Sequence, residues 1–407
     1  MDFSVPEDFI ADIKEKEYDL IVGIPSFNNE DTIAYVSEIA ANGLNQHFPN
    51  LKACIINSDG GSKDKTKESF LGAECLGYDL YSFIYEGIPG KGSAMRSVME
   101  VAYLTNAKGV VFLDSDLRSV QPFWIDLLLQ PILSGKSSYV TPFYIRDKYD
   151  GTITNSICYP FTTALYGHEI RQPIGGDFGV GKEVIDIYMK KNKKIWESDI
   201  SKFGIDIFMT TTAINESKLP VYQANLGSKI HDVKDPGESL GPMFSQVVGT
   251  LFNLMDTYKD KWKDIKSYEQ APIFGMEISV NPEPLNVNLE RMVQKCKEGL
   301  EEKFEIAEIL LSENLAKYLE EVKKKGFVND EKWIDIIFEL SYKYRDEKLR
   351  KEIIELLVPI YFGKTANFVK KTANENNQQA EERTKNLVNL YLRKKPELLK
   401  VWELEAN

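Results

Sequence analysis

The 407 residues suffice for two or three domains, and a hydrophobic fraction of 43% is ordinary for a soluble protein. A formal net charge of −12 argues against a general nucleic-acid binder, since phosphate backbones demand basic stripes; it leaves room for a small anionic substrate in a locally basic pocket. Cys54, Cys75, Cys158 and Cys296 form no Cys-x-x-Cys pair or zinc spacing and read as reduced core thiols, the opening residues lack the basic and apolar regions of a signal peptide, and no apolar run is long enough to span a membrane, so a cytoplasmic protein is expected.

In chain order, residues 18–25 form an apolar strand ending at Pro25, and the turn Ser26-Phe-Asn-Asn-Glu30 leads into a helix with Asp31 as a candidate N-cap. A strand over 53–57 runs into Asp59-Gly-Gly-Ser62-Lys-Asp64, with a helix from about Lys65. A strand over 80–85 and the loop Gly87-Ile-Pro-Gly90-Lys91-Gly92-Ser precede a helix over 94–105. Val110–Leu113 is an apolar, β-branched and aromatic run suited to a buried parallel strand, and it ends abruptly in Asp114-Ser115-Asp116. Further on come a helix over 127–133, a strand over 139–144, a polar stretch over 145–158, a glycine-dense loop and short strand over 170–181, helices over 182–191 and 203–216, and a strand over 221–226. Strands alternating with helices predict a mainly parallel, doubly wound α/β sheet over residues 1–245. From about Gln246 the pattern turns helical. One long amphipathic stretch over 289–325 closes at Gly326, and helices over 332–344, 347–362 and 379–392 complete an α-helical region over 246–407.

Two carboxylates one residue apart at the carboxyl end of a buried strand stand where open α/β sheets hold ligands. Such carboxylates call for a positive partner, and Mg²⁺ bridging to a diphosphate is an economical one; two solvated acids are the plain alternative. Gly90-Lys91-Gly92 lacks the Ser or Thr of a Walker loop, which rules against an ATPase; it is either a diphosphate site or a helix-entry turn with a solvated lysine. Asp59 leaves its strand directly and is aimed at a ligand, whereas Asp64 reads as a cap. His231 is either structural or a returning metal ligand.

Taken in this order, the motifs resemble those of GT-A glycosyltransferases that use nucleotide-diphosphate sugars. Pro25-Ser26-Phe-Asn-Asn29-Glu30 is similar to the family's Pro-x-x-Asn-Glu, displaced so that Asn29 stands at the glutamate position. Asp59-x-Gly-Ser62-x-Asp64 is similar to its nucleotide loop. Gln172-Pro-Ile-Gly-Gly-Asp-Phe-Gly179, Gly204-Ile-Asp206 and His231 resemble the mannosylglycerate, glucosylglycerate and glucosyl-3-phosphoglycerate synthases, retaining enzymes of solute and polysaccharide-precursor synthesis.

The resemblance implies a GT-A, Rossmann-like sheet domain with a helical C-terminal domain, and a hexosyltransferase using UDP-glucose or GDP-mannose with Mg²⁺ or Mn²⁺. It implies that Pro25, Ser26, Asn29, Glu30, Asp59, Ser62, Lys91, Asp114 and Ser115 hold the nucleotide, with Asp114 toward the ribose and near the metal. Asp116 and His231 bind the metal, Gly175 and Gly176 line the sugar pocket, and Asp206 takes a sugar hydroxyl, so that Asp206, Asp116 and Lys91 carry catalysis. Arg146, Thr152 and Thr154 take the acceptor carboxylate, to which a guanidinium fork is suited. The phosphoglycerate-specific enzymes carry a Gly-Arg-Val-Thr loop; the nearest stretch here, Asp150-Gly-Thr-Ile-Thr154, favours unphosphorylated D-glycerate. A homodimer is expected, without nucleic acid or membrane. The rival expectations are 3-phosphoglycerate or another sugar acceptor, and a non-enzymatic nucleotide-sugar-binding regulator.

Overall fold

A computed structural model describes residues 3–230, 240–278 and 280–404. The chain divides into two compact units that interleave along the sequence. The first comprises Met1–Ile145, Ile170–Asp232 and Ala271–Pro282, and the second comprises Arg146–Glu169, Val233–Gln270 and Glu283–Asn407.

The first unit is an eight-stranded sheet. Its strands are β1 (Leu20–Ser26), β2 (Ala53–Asp59), β3 (Asp79–Ile84), β4 (Gly109–Phe112), β5 (Tyr139–Ile145), β7 (Phe178–Gly181), β8 (Tyr222–Ser228) and β10 (Ile273–Phe274). β6 (His168–Glu169) and β9 (Glu269–Gln270) pair with each other in the second unit. The sheet order is β10-β8-β5-β7-β4-β1-β2-β3. Every pairing is parallel except those of β7, which runs antiparallel to β4 and β5. The central strands are apolar throughout because both faces are covered. On one face Val22, Ile24, Val111, Leu113 and Val140 pack with Val36, Leu44, Trp124 and Leu128 of the covering helices.

This is the mainly parallel α/β sheet expected, with differences of detail. The helix after the first turn spans Ile33–His47 with Thr32 at its N-cap and no side-chain cap, so Asp31 is not the cap. Asp64 accepts from the backbone N–H and hydroxyl of Thr66, but the dihedral N-cap is Lys65. The helix after the glycine loop begins at Lys91, three residues earlier than expected, and spans Lys91–Leu104.

The second unit is helical, built on Leu240–Thr257, Leu289–Leu310, Glu313–Lys325, Asp330–Lys343, Arg350–Thr372 and Asn377–Val401. The stretch expected as one long helix is two, broken at Leu311-Ser312, where the Ser312 N–H leaves helical geometry and donates to Glu339 Oε2 at 2.8 Å. Gly326 does end the second of them, at φ +78°. Residues 152–166, anticipated in part as a turn-rich loop, form a π-helical turn over Thr154–Cys158 and a helix over Tyr159–Tyr166. Phe161 of that helix stacks on Tyr391 at 4.8 Å, and Ser156 accepts from the Trp333 indole at 3.0 Å. Among the described residues no helix is long and apolar enough to cross a membrane.

Candidate active site

Strand register assembles the site. β1 pairs with β2 through Ser26↔Asp59, so the turns after both strands open at the same carboxyl-end level. Three turns are cross-tied there. Asn29 Oδ1 accepts from the Ser115 hydroxyl at 2.8 Å and the Phe27 N–H at 2.9 Å, Glu30 Oε2 accepts from the Lys65 N–H at 2.8 Å, and the Ser62 hydroxyl accepts from the Asn28 N–H at 2.8 Å. The Ser26 hydroxyl donates to Asn57 Oδ1 at 2.6 Å within the sheet, and Pro25 lies inside β1 opposite Ser58. Asn29, Ser62 and Ser115, read from sequence as nucleotide contacts, thus spend these side-chain oxygens holding the loops together. Asp59 accepts from the N–H groups of Gly61 at 2.8 Å and Ser62 at 2.7 Å, both through Oδ1. Its Oδ2 has no partner among the described residues and remains available to a ring N–H.

β4 and β7 pair antiparallel with Phe112↔Phe178, which sets the residue before β7, Asp177, beside the residues after β4. Asp177 Oδ1 accepts from the Asp114 backbone N–H at 2.8 Å. β5 and β8 pair with Ile145↔Ser228, so Lys229 emerges at the same end of the sheet. Its ammonium group donates to Asp114 Oδ2 at 2.7 Å, Asp177 Oδ2 at 2.8 Å and the Gly175 carbonyl at 2.8 Å. Lys91 reaches the same carboxylate from the first turn of its helix, 2.8 Å from Asp114 Oδ1 and 3.6 Å from Asp206 Oδ1. Asp206 Oδ2 accepts from the Gly176 N–H at 3.0 Å, while its Oδ1 is buried and accepts no hydrogen bond.

The glycines of the site are explained by close approach. A Cβ on Gly176, at φ +86°, would lie 2.0 Å from Asp114 Oδ2, and one on Gly175 would lie 2.2 Å from Pro142 Cγ. A Cβ on Gly92 would sit 1.8 Å from the Ile200 carbonyl oxygen, so the glycine after Lys91 lets the helix start seat against residues 199–201.

Of the expected residues, Lys91, Asp114, Gly175, Gly176 and Asp206 meet in one cluster, completed by three residues the sequence reading passed over: Asp177, Lys229 and Tyr144, whose hydroxyl donates to Asp177 Oδ2. Burial would raise the Asp114 carboxyl, but the ammonium groups of Lys229 and Lys91 outweigh it and hold it well below the usual carboxylate range. Burial would lower Lys91, but Asp114 and Asp206 hold it well above the ordinary lysine value, so it stays protonated. Burial raises Asp206 against the pull of Lys91, and raises Asp177 against that of Lys229. Three carboxyls face two ammonium groups, which leaves one negative charge in excess when all five are ionised.

Asp114, expected also at the metal, has both oxygens on ammonium groups, so neither is open to a cation in this arrangement. Asp116 is half-buried, with no side-chain partner among the described residues. His231 lies outside the described residues; the Ile230 before it accepts from the Arg118 N–H at 2.9 Å, and its own N–H donates to the Ser119 hydroxyl at 2.8 Å. No three-ligand His/Cys/Asp/Glu cage occurs among the described residues. A hard cation that keeps water and phosphate oxygens and takes one or two carboxylates fits this donor set, with Asp116 as the open oxygen ligand.

Arg146, Thr152 and Thr154 belong to the helical unit. The Arg146 guanidinium lies 3.8 Å from Asp150, the Thr152 hydroxyl is 2.6 Å from that of Tyr361, and Thr154 is buried at the start of the π-helical turn.

No family model matches the chain. It is 26% identical over 250 residues to glucosyl-3-phosphoglycerate synthase of Mycobacterium tuberculosis, covering 57% of this chain and 72% of the relative. With the synthase of the same name from Mycolicibacterium paratuberculosis it shares 27% over 253 residues, covering 57% and 71%. The chain is thus similar in sequence to glycosyltransferases that are nucleotide-sugar dependent. Among solved structures it is similar to the M. tuberculosis synthase crystallised with Mn²⁺, UDP and phosphoglyceric acid, with a TM-score of 0.45 and 24% identity over 60% of this chain and 82% of that one.

Proposed function

We propose that this glycosyltransferase moves a hexose from a nucleotide-diphosphate sugar, UDP-glucose or GDP-mannose, to D-glycerate with retention of anomeric configuration, giving glucosylglycerate or mannosylglycerate. The observation that carries the reading is the cluster at the carboxyl ends of the central strands. A protonated Lys91 and an Asp206 oxygen without a hydrogen-bond donor stand 3.6 Å apart, beside the Asp59 turn that leaves one carboxylate oxygen for a base. The names of the relatives favour glucose as the sugar.

In this reading Asp59 holds the base, and Lys91 places a fixed positive charge where the departing diphosphate gathers negative charge. Asp206 Oδ1, already buried, gains its missing donor from a sugar hydroxyl and so orients the ring; the cost of leaving it unpaired disfavours sugars that lack that hydroxyl. Asp116, with His231 as a second ligand, would hold Mg²⁺ or Mn²⁺, which when bound supplies Lewis-acid neutralisation of the diphosphate. The acceptor carboxylate goes to Arg146, and the acceptor hydroxyl proton leaves to the diphosphate oxygen, so the chain needs no separate base. Thr152 in place of the arginine of a Gly-Arg-Val-Thr loop favours unphosphorylated glycerate. The second reading, favoured by the relatives' names, is transfer to 3-phosphoglycerate. A homodimer and a cytoplasmic setting belong to the same proposal; the four buried cysteines, which form no disulfide, are in keeping with a reducing compartment.

Asp116→Ala tests the scheme. Nucleotide binding by calorimetry should lose its dependence on Mg²⁺ or Mn²⁺, and turnover should fall at least 100-fold. Full turnover of this variant in the presence of a chelator would refute it.

A further inference from the structure

Lys229 has no proton left for a ligand. An ammonium group donates three hydrogen bonds, and here the three go to Asp114 Oδ2, Asp177 Oδ2 and the Gly175 carbonyl. Its side chain is 4% exposed, against 19% for Lys91, whose ammonium group has one partner at 2.8 Å and another only at 3.6 Å. The two lysines on Asp114 therefore divide the work, one turned inward and one more exposed. Asp177 is fully buried and takes three donors: the Asp114 backbone N–H, Lys229 and the Tyr144 hydroxyl. The bracket thus ties together the end of β4, the lead into β7 and the end of β8.

The strand is shaped to deliver this lysine. The β5–β8 register runs Phe143↔Asn225 and then Tyr144↔Gly227, so β8 carries one extra residue, and Gly227 absorbs it at φ +78°. A bulge reverses which face the following residues present, and bulges are frequent beside active sites because they re-aim a side chain.

We propose that Lys229, held by Asp177 and Tyr144, is the positioning residue of this site: it fixes the Asp114 carboxylate, and through it the Lys91 ammonium group, for the transfer step. The kinetic consequence rests on the transferase reading above; the geometric one does not. With Lys229 gone, Asp114 keeps only Lys91 as a charged partner and is free to rotate toward it, drawing the ammonium group away from Asp206.

Lys229→Met alone leaves Asp177 buried without its cation and is a risk to folding. The double variant Lys229→Met/Asp177→Asn removes one charge of each sign, and Tyr144→Phe removes a single hydroxyl; both keep the charge balance. Crystal structures and steady-state kinetics of these variants form the test. The double variant should keep the Lys91–Asp114 pair but show the Lys91–Asp206 distance lengthened from 3.6 Å to beyond about 4.5 Å, with turnover per folded molecule reduced at least 100-fold and donor KM changed less than threefold. Tyr144→Phe should lower turnover three- to tenfold. Lower melting temperatures with unchanged turnover, or an unchanged Lys91–Asp206 distance in the double variant, would overturn the proposal. If the wild-type chain transfers no sugar, the transferase reading fails on its own, and the position of Lys91 in the variant crystal still decides whether Lys229 positions it.

Discussion

Gly176→Ala isolates the close contact with the Asp114 carboxylate. The added Cβ would lie 2.0 Å from Asp114 Oδ2 and 2.7 Å from its Cγ, where an ordinary contact is about 3.3 Å. One of the two must move by roughly 1.3 Å. Asp114 is fixed on both sides, at 2.7 Å from Lys229 and 2.8 Å from Lys91, so a shift of that size stretches an ion pair to about 4 Å. Backbone strain adds to the clash, because φ +86° costs a residue with a Cβ about 1–2 kcal/mol. Together they should cost about 2–4 kcal/mol, which lowers the melting temperature by roughly 5–12 °C for a domain of this size. Misplacement of catalytic groups by about 1 Å should reduce turnover about 100-fold. Gly135→Ala supplies the control. Gly135 is also left-handed, at φ +69°, but nothing lies within 4 Å of its added Cβ, so it should lose only the strain and keep full activity. Thermal melts and nucleotide-release assays on both variants read the difference. Equal melting shifts for the two, or turnover by Gly176→Ala within threefold of wild type, would refute the reasoning.

Lys395 of the helical unit is buried and donates to the Ala164 and Leu165 carbonyls at 2.8 and 3.1 Å, which end the helix Tyr159–Tyr166. Burial pulls its amine down to about 7, against a weak opposing effect of Asp264, and a neutral amine retains the two N–H groups these carbonyls need. Between about pH 7 and 10.5 the unfolded chain holds a proton on this group that the folded chain does not. Stability should therefore rise with pH across that window and level off below it; Lys395→Met should flatten the slope and raise the melting temperature most at pH 6. A pH slope identical to wild type would count against this. Arg146→Ala should raise the acceptor KM at least tenfold and leave the donor KM within threefold, as read by initial rates with each substrate varied. Asp206→Asn, with its amide near Lys91, should lower kcat at least 100-fold while nucleotide-diphosphate binding by calorimetry stays near wild type.

Much of this cluster could be read from sequence, because its signals are local. An apolar run ending in Asp114-Ser115-Asp116 announces a buried strand and its carboxyl end, and Lys91 follows a glycine into a helix. What escaped depends on pairing. Asp177 matters because β7 runs antiparallel beside β4 with Phe178 opposite Phe112, a register that no local pattern reveals. Lys229 belongs to no motif of its own, and only the extra residue in β8 turns it onto Asp114. Asn29, Ser62 and Ser115 matched nucleotide motifs, yet the structure uses their side chains to bind three loops together. The double glycine read as lining a sugar pocket, but its packing causes, Pro142 against Gly175 and the Asp114 carboxylate against Gly176, come from other strands and leave no local mark. In the helical unit the amphipathic period continues across Leu311-Ser312, so the break there left no mark in the hydrophobic pattern.

The most direct measurement is nucleotide-diphosphate release by the full chain with Mg²⁺ or Mn²⁺, crossing UDP-glucose and GDP-mannose with D-glycerate and 3-phosphoglycerate. Release should depend on D-glycerate with one of the two donors and give an α-linked glycosylglycerate product by NMR. Release that requires 3-phosphoglycerate would overturn the acceptor assignment. Nucleotide binding without acceptor-dependent release from any of the four pairs would contradict the proposed transfer.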